Sequence, residues 1–172
     1  MPSLNPDITE LIDRLGLIPH PEGGWFRQTY TSTEWIPESH LPDYEGRRHY
    51  ATSIYFLLDR VNFSAFHRLK SEELWFHHAG DPLDIHVIHP EGRLETLKIG
   101  PLGTGLSDDF EPQALVPGNT WFASGVSEGG TWSLVGCVVV PGFDFRDFEL
   151  ANRHELLLEY PEYSDMIESF TR

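Results

Sequence analysis

Cysteine is almost missing from this chain: Cys137 is the one thiol among 172 residues, so no internal disulfide can form. Cations are scarce too. Twelve Lys and Arg stand against 27 Asp and Glu, a formal net charge of −15. That balance argues against a surface that clusters positive charge on phosphate backbones, and no nucleic-acid partner is expected. No run of about 18 apolar residues occurs, so no membrane span is expected either. The N-terminal stretch carries Asp7, Glu10 and Asp13 where a secretory leader would be basic and then apolar. These absences together predict a cytoplasmic protein. What is present is 40% hydrophobic residues, enough for a sizeable core. Fifteen Gly, 13 Pro and 13% aromatics point to many turns and short strands, not a helical bundle. The length suits one domain over residues 1–172.

The first 18 residues read as a helix and its exit. Asn5 can cap it and Pro6 suits its first position. Ile8, Leu11, Ile12 and Leu15 form one apolar stripe, and Gly16 can end the helix in the left-handed region. His20-Pro21-Glu22-Gly23-Gly24 is then a turn-rich connector, its glycines free to take positive φ. Residues 25–150 alternate short strands with Gly/Pro turns, which predicts an all-β antiparallel barrel or sandwich. Within them, 52–58 reads as a strand buried on both faces and 132–140 as a long central strand. Gly100–Gly105 lacks the Lys-Ser/Thr of a phosphate loop and reads as a turn. Residues 151–172 form an acidic tail of short helices around Leu156–Leu158 and after Pro161.

The stretch Phe66-His67-Arg68-Leu69-Lys70-Ser71-Glu72-Glu73-Leu74-Trp75-Phe76-His77 carries the chemistry. If Leu69 pairs with Glu73 across a hairpin turn, then His67, Glu73, Trp75 and His77 project to one face. His67 and Glu73 become diagonal neighbours, roughly 7–8 Å apart at the backbone. An imidazole, a carboxylate and an indole wall then make a candidate reactive pocket. A satisfied buried His–Glu pair without chemistry is the competing reading. In the first reading the carboxylate stabilises the imidazolium and raises the basicity of His67. Cys137, among Leu, Val and Gly without a paired His, reads as a small buried hydrophobe.

His67, Leu69, Glu73 and Gly80 resemble the first cupin motif, His-x-His, then Glu, then Gly. Pro117-Gly118-Asn119-Thr120-Trp121-Phe122 looks like the second, Pro-x-Gly-x-x-His. The chain is similar to the fifth cupin family, long described as a domain of unknown function. The match runs through His20–Gly24, Ile54–Leu58, Phe66–Gly80, Val116–Ala123 and Leu134–Ala151. The resemblance implies an RmlC-like cupin jelly roll with an N-terminal helix and short C-terminal helices. It also implies a pocket inside the barrel and a homodimer.

Two departures bear on metal. Leu69 replaces the second His of the motif and Phe122 stands at the third. Only His67 and Glu73 remain as ligands, where a catalytic metal commonly takes three or more. His77 lies four residues from Glu73, roughly 13 Å along a strand, too far to share an ion. No metal or other cofactor is therefore expected. The distant likeness to sugar-nucleotide epimerases of the same fold implies His67 as a base beside a carbonyl and a tyrosine acid, for which Tyr55 is the candidate. Arg27 and Thr29 share a strand face where Arg27 could grip an anion, and Trp75, His77 and Trp121 are candidate ligand contacts. Three functions stand side by side: a metal-independent isomerase or epimerase on a small carbohydrate-like or carbonyl compound, a non-catalytic small-molecule-binding barrel, and a metal-dependent dioxygenase-type cupin.

Overall fold

A computed structural model describes residues 8–102 and 109–172. The proposed cap Asn5, the Pro6 start and the Gly103–Gly105 part of the predicted turn lie outside those residues. In chain order the elements are α1 (Ile8–Leu15), β1 (Ile18–Pro19), β2 (Trp25–Thr31), β3 (Trp35–Ile36), β4 (Arg48–His49), β5 (Thr52–Asp59), β6 (Ser64–Leu69), β7 (Glu72–Gly80), β8 (Leu83–Ile88), β9 (Leu94–Ile99), β10 (Gln113–Val116), β11 (Trp121–Val126), β12 (Trp132–Val140), β13 (Phe148–Leu150), α2 (Arg153–Glu159) and α3 (Ser164–Ser169).

Two antiparallel sheets face each other, in the orders β1-β2-β5-β12-β7-β10 and β13-β6-β11-β8-β9. Their inner faces form the main core, with Phe56, Trp75 and Val135 from the first sheet meeting Ile85, Val87 and Phe122 from the second. Strand spacing predicts an antiparallel barrel or sandwich, and the arrangement is the jelly roll that the cupin resemblance implies. β5 and β12 are covered on both sides. Outside the first sheet, the α1 stripe of Ile8, Leu11, Ile12 and Leu15 packs on Leu57, Trp132 and Leu134. Outside the second, Leu156 and Ile167 of the C-terminal helices pack on Phe66, Ile88 and Trp121. α1 ends at Gly16, whose φ of +61° is open to a residue without Cβ. Among the described residues no helix is long and apolar enough to cross a membrane.

The structure corrects one element of the sequence reading. β6 and β7 do not form a hairpin. β6 bonds to β11 and β13, whereas β7 bonds to β12 and β10. Lys70-Ser71 is therefore a corner where the chain crosses between sheets. The corner is held from outside the expected hairpin: Asn119 N donates to Leu69 O at 2.6 Å and Lys70 N to Asp147 O at 3.3 Å. His67 and Glu73 thus face the barrel interior from opposite sheets.

Residues 32–51, on which the sequence reading was silent, hold a buried ion pair. Arg48 Nε and Nη2 donate to the two Asp147 oxygens at 2.6 and 2.8 Å, and Arg48 Nη1 donates to three backbone carbonyls, those of Glu45, Gly46 and Arg47. A bidentate pair this enclosed is strongly directional. It ties the β3–β4 flap to the segment carrying Phe143, Phe145 and Phe148. Substituting Asp147→Ala strands a buried guanidinium, so it should cost about 3–5 kcal/mol. In a chain of this size that lowers the melting temperature by roughly 10 °C. Thermal unfolding followed by circular dichroism checks this; an unchanged melting temperature removes the pair from the scaffold.

Candidate functional site

A cavity of about 260 Å³ opens between the sheets. Its walls are mainly apolar, with Phe26, Ile54, Phe56, Leu69, Val139 and Phe143 among them, and Phe145 at an exposed rim. His20, Glu22, His67, Glu73, Trp75 and Cys137 supply most of the polar atoms. Neither Lys nor Arg is among the described lining residues.

Strand alternation explains how Glu73 and Trp75 reach this space. They sit two apart on β7 and share its inner face. Across the ladder Cys137 pairs with Trp75 and Val139 with Glu73, which brings the thiol to the same face. His67 enters from β6. Its ring lies between Phe122, with centroids 4.1 Å apart, and Phe148, at 5.4 Å.

The carboxylate beside His67 is Glu22, not Glu73. Glu22 Oε2 lies 3.3 Å from His67 Nε2 and 3.4 Å from His20 Nδ1, while Ser64 Oγ donates to Glu22 Oε1 at 2.9 Å. The connector is folded for this approach. His20 N donates to Gly24 O and Gly23 N to His20 O, both at 3.0 Å, and Ala65 N donates to Glu22 O at 2.9 Å. Gly23 and Gly24 take φ of +120° and +69°. A Cβ on Gly23 would collide with Phe63 O, and one on Gly24 would lie 2.5 Å from Leu58 Cδ2. Only a glycine pair lets the turn press close enough to bury Glu22. The available signal was an acid directly before Gly-Gly in a connector that otherwise reads as surface.

Hydrogen bonding settles where the protons sit. His67 Nδ1 lies 2.8 Å from Ala65 O. A carbonyl oxygen only accepts, so Nδ1 carries hydrogen and the neutral ring has its lone pair on Nε2. Glu22 Oε2 stands 3.3 Å from Nε2 but outside hydrogen-bond geometry, so the lone pair keeps a carboxyl beside it without being tied to it.

Burial governs the ionisable groups. It pushes His67 down to about 4, with the Ala65 carbonyl acting against it. It pushes Glu22 up, against the pull of His20, Ser64 and Arg172. The expectation that a neighbouring carboxylate makes His67 more basic is thus overturned, because desolvation outweighs it. Glu73 is pushed up to about 8, first by burial and then by the charge of Glu22, with Trp75 and Cys137 opposing. Cys137 is raised well above the ordinary thiol range by burial and by both carboxylates. At neutral pH the cavity therefore holds a protonated Glu73, a neutral imidazole and a thiol.

The remaining candidates lie elsewhere. Tyr55 is on the outer face of β5, 5.7 Å from the His78 ring and 5.6 Å from the Arg27 guanidinium. It cannot act as acid on a molecule in the cavity. Alternation on β2 places Phe26 inward and Arg27 outward. A register shift between Gln28 and Tyr30 leaves Thr29 exposed, bonded to Ser53 Oγ. His77 lies before the shift in the β7–β12 register, its Nε2 3.2 Å from Asp81 O, and it does not line the cavity. Trp121 packs behind the second sheet with Arg68 4.5 Å above its ring. Of the sequence candidates, the cavity brings together His67, Glu73 and Trp75.

The residues present do not suit a metal. Among the described residues no group of three or more His, Cys, Asp or Glu side chains converges to hold an ion. Leu69 lines the cavity as hydrocarbon, and Phe122 covers the His67 ring.

Comparisons with known proteins place this architecture. Among solved structures, Protein SO0799 of Shewanella oneidensis superposes with a TM-score of 0.84 at 39% identity, over 96% of this chain and 98% of that one. A hypothetical protein of Leishmania major gives 0.84 at 35%, over 95% and 98%. An uncharacterized protein of Saccharomyces cerevisiae, YML079W, is 29% identical over 158 residues, 86% of this chain and 76% of its own. Oxalate decarboxylase of Bacillus subtilis shares the fold alone, with a TM-score of 0.52 at 13% identity over 88% of this chain and 36% of that chain. The family described as Cupin superfamily (DUF985) matches residues 9–151, and the chain belongs to it.

Proposed function

We propose that the barrel binds a small carbonyl or carbohydrate-like compound. We further propose that its own side chains move a proton on the carbon beside the carbonyl, as an isomerase or epimerase would. The observation that carries this reading is the division of roles inside one cavity. His67 backed by Glu22 can accept a proton, and Glu73 holds one to donate. Environments that push two groups apart in this way mark acid and base partners. In the step itself, the C–H proton passes to His67 Nε2 and the C–H electron pair becomes a C=C bond. The carbonyl oxygen takes the proton of Glu73, and Glu22 neutralises the imidazolium. Reprotonation at carbon reverses or completes the isomerisation.

Size and charge narrow the substrate. A cavity of about 260 Å³ whose described lining residues include no Lys or Arg is poorly matched to a sugar nucleotide, whose diphosphate needs positive partners. Apolar walls favour a compact molecule with a hydrocarbon face. One observation favours a second reading, a non-catalytic binding module: Nε2 of His67 already faces Glu22 at 3.3 Å. Solvent-deuterium incorporation into a bound carbonyl compound separates the two. Exchange supports the isomerase reading, and saturable binding without exchange supports the module.

His67→Asn should abolish deuterium incorporation, read by mass spectrometry. Incorporation at the wild-type rate would remove the base assignment. In the parent protein exchange should trace a bell against pH. It rises as His67 loses its proton near pH 4 and falls as Glu73 ionises near pH 8.

Glu73 also couples stability to pH. Its folded pKa of about 8 exceeds the ordinary 4.5, so the folded chain keeps a proton that the unfolded chain releases. Stability is accordingly lost as pH rises from about 4.5 through about 8. Glu73→Gln removes that loss. Between pH 5 and pH 9 its melting temperature should gain several degrees relative to the parent. A constant difference across that range would show that Glu73 is ionised in the folded protein.

A further inference from the structure

Trp75 is almost wholly buried, at 1% exposure, yet among the described residues its indole Nε1 meets no partner in full hydrogen-bond geometry. The N–H is directed toward the Glu73 carboxyl and, like the Cys137 thiol, acts on it as a hydrogen-bond donor that opposes the rise of its pKa, yet it falls short of full hydrogen-bond geometry. A buried donor without a full partner is destabilising, and Trp75 lines the cavity. The Cys137 thiol lies directly across the ladder from Trp75, and Glu73 stands two residues along the same face. Three protein groups capable of donating hydrogen therefore occupy adjoining positions on one wall.

The geometry points to a specificity site in which Trp75 Nε1–H, the Glu73 carboxyl and the Cys137 thiol together receive an uncharged oxygen acceptor of the ligand, selecting ketones, aldehydes, esters or lactones over carboxylates and phosphates. The inference rests on the reading of this cavity as a small-molecule site and names the chemical class it takes. Three features support it. The indole can only donate, so its partner must be an acceptor. Glu73 keeps its proton below about pH 8 and so can donate as well. An anionic ligand would meet Glu22 and Glu73 in a cavity whose described lining residues include neither Lys nor Arg, and its desolvation would go uncompensated.

Orientation follows from the placement. An oxygen held by the β7–β12 wall directs the rest of the molecule toward the second sheet, where His67 stands. The carbon beside the carbonyl is then the part presented to Nε2. Trp75 is in this account a specificity determinant, and its effect is on binding before any proton moves.

Three probes of one skeleton test the inference at pH 7: acetophenone, α-methylstyrene (the same shape without the acceptor) and benzoate. Titration calorimetry gives the affinities, and the ¹⁵N-indole spectrum reports on Trp75, with Trp75→Phe identifying its resonance. Acetophenone should bind about tenfold more tightly than α-methylstyrene, the worth of one to two hydrogen bonds. Benzoate should bind more weakly than acetophenone. The Trp75 N–H resonance should shift downfield with acetophenone and not with α-methylstyrene, and Trp75→Phe should bring the two affinities to within about twofold. Equal affinities in the parent protein, a preference for benzoate, an unmoved Trp75 resonance, or no saturable binding of acetophenone would each overturn the inference. The parent measurements stand even if Trp75→Phe does not fold. Deuterium exchange at the acetophenone methyl group is read separately. Selective binding without exchange leaves the donor wall intact and sinks only the proton-transfer step. Exchange without selectivity does the reverse.

Discussion

The chemistry of this barrel depends on one constraint: ionisable groups are enclosed by hydrocarbon, and the described residues lining their cavity include no Lys or Arg to offset them. A carboxylate taken out of water without a cationic partner keeps its proton, and an imidazole gives one up. His67 meets this constraint by staying neutral, and burial raises the proton affinity of Glu22, 3.3 Å from Nε2. Glu73 meets it by staying protonated. The interior consequently holds proton donors and acceptors that are close to neutral in sum, a condition suited to moving protons and poorly suited to gripping anions.

The scaffold makes that enclosure by dividing one short segment between two sheets. Because β6 and β7 pair with different neighbours, His67 and Glu73 reach the cavity from opposing walls. A hairpin would have put them side by side, free to neutralise each other as an ordinary ion pair. Separation leaves room between them for a ligand. The Gly23–Gly24 turn then brings Glu22 up against His67, and the Arg48–Asp147 pair fixes the segment whose phenylalanines close the rim.

Much of the fold was legible in the sequence because it is written in local periodicity. The α1 stripe, the two-sided burial of 52–58, the long central strand 132–140, and the Gly/Pro turns each follow from residues near one another in the chain. The site was legible only in part for the same reason. His67, Glu73 and Trp75 stand out through residue type and alternation, and the inward face of β7 follows from them. Their wrong pairing came from treating a three-residue polar turn as a hairpin, when long-range bonds from Asn119 and Asp147 hold it as a corner. Glu22 could not be found by periodicity, since it sits in an irregular turn more than 40 residues from its partner. Tyr55, Arg27 and Trp121 were plausible by chemistry alone; which side of its sheet each occupies is decided by what packs there, α1 on one side and the C-terminal helices on the other.

Leu69 and Phe122 bring the metal question and the pKa question together. They stand where the cupin motifs call for histidines, so their first effect is to remove two ligands. Their second effect is electrostatic. Phe122 lies against the His67 ring, with centroids 4.1 Å apart, and Leu69 adds hydrocarbon to the cavity wall. Two imidazoles at those positions would have kept the space polar and shared the cost of any charge. Hydrocarbon there removes water from His67 and Glu73 and drives their proton affinities in opposite directions. The substitutions that take two histidines out of the cupin motifs thus also supply the hydrocarbon that lowers the proton affinity of His67 and raises that of Glu73.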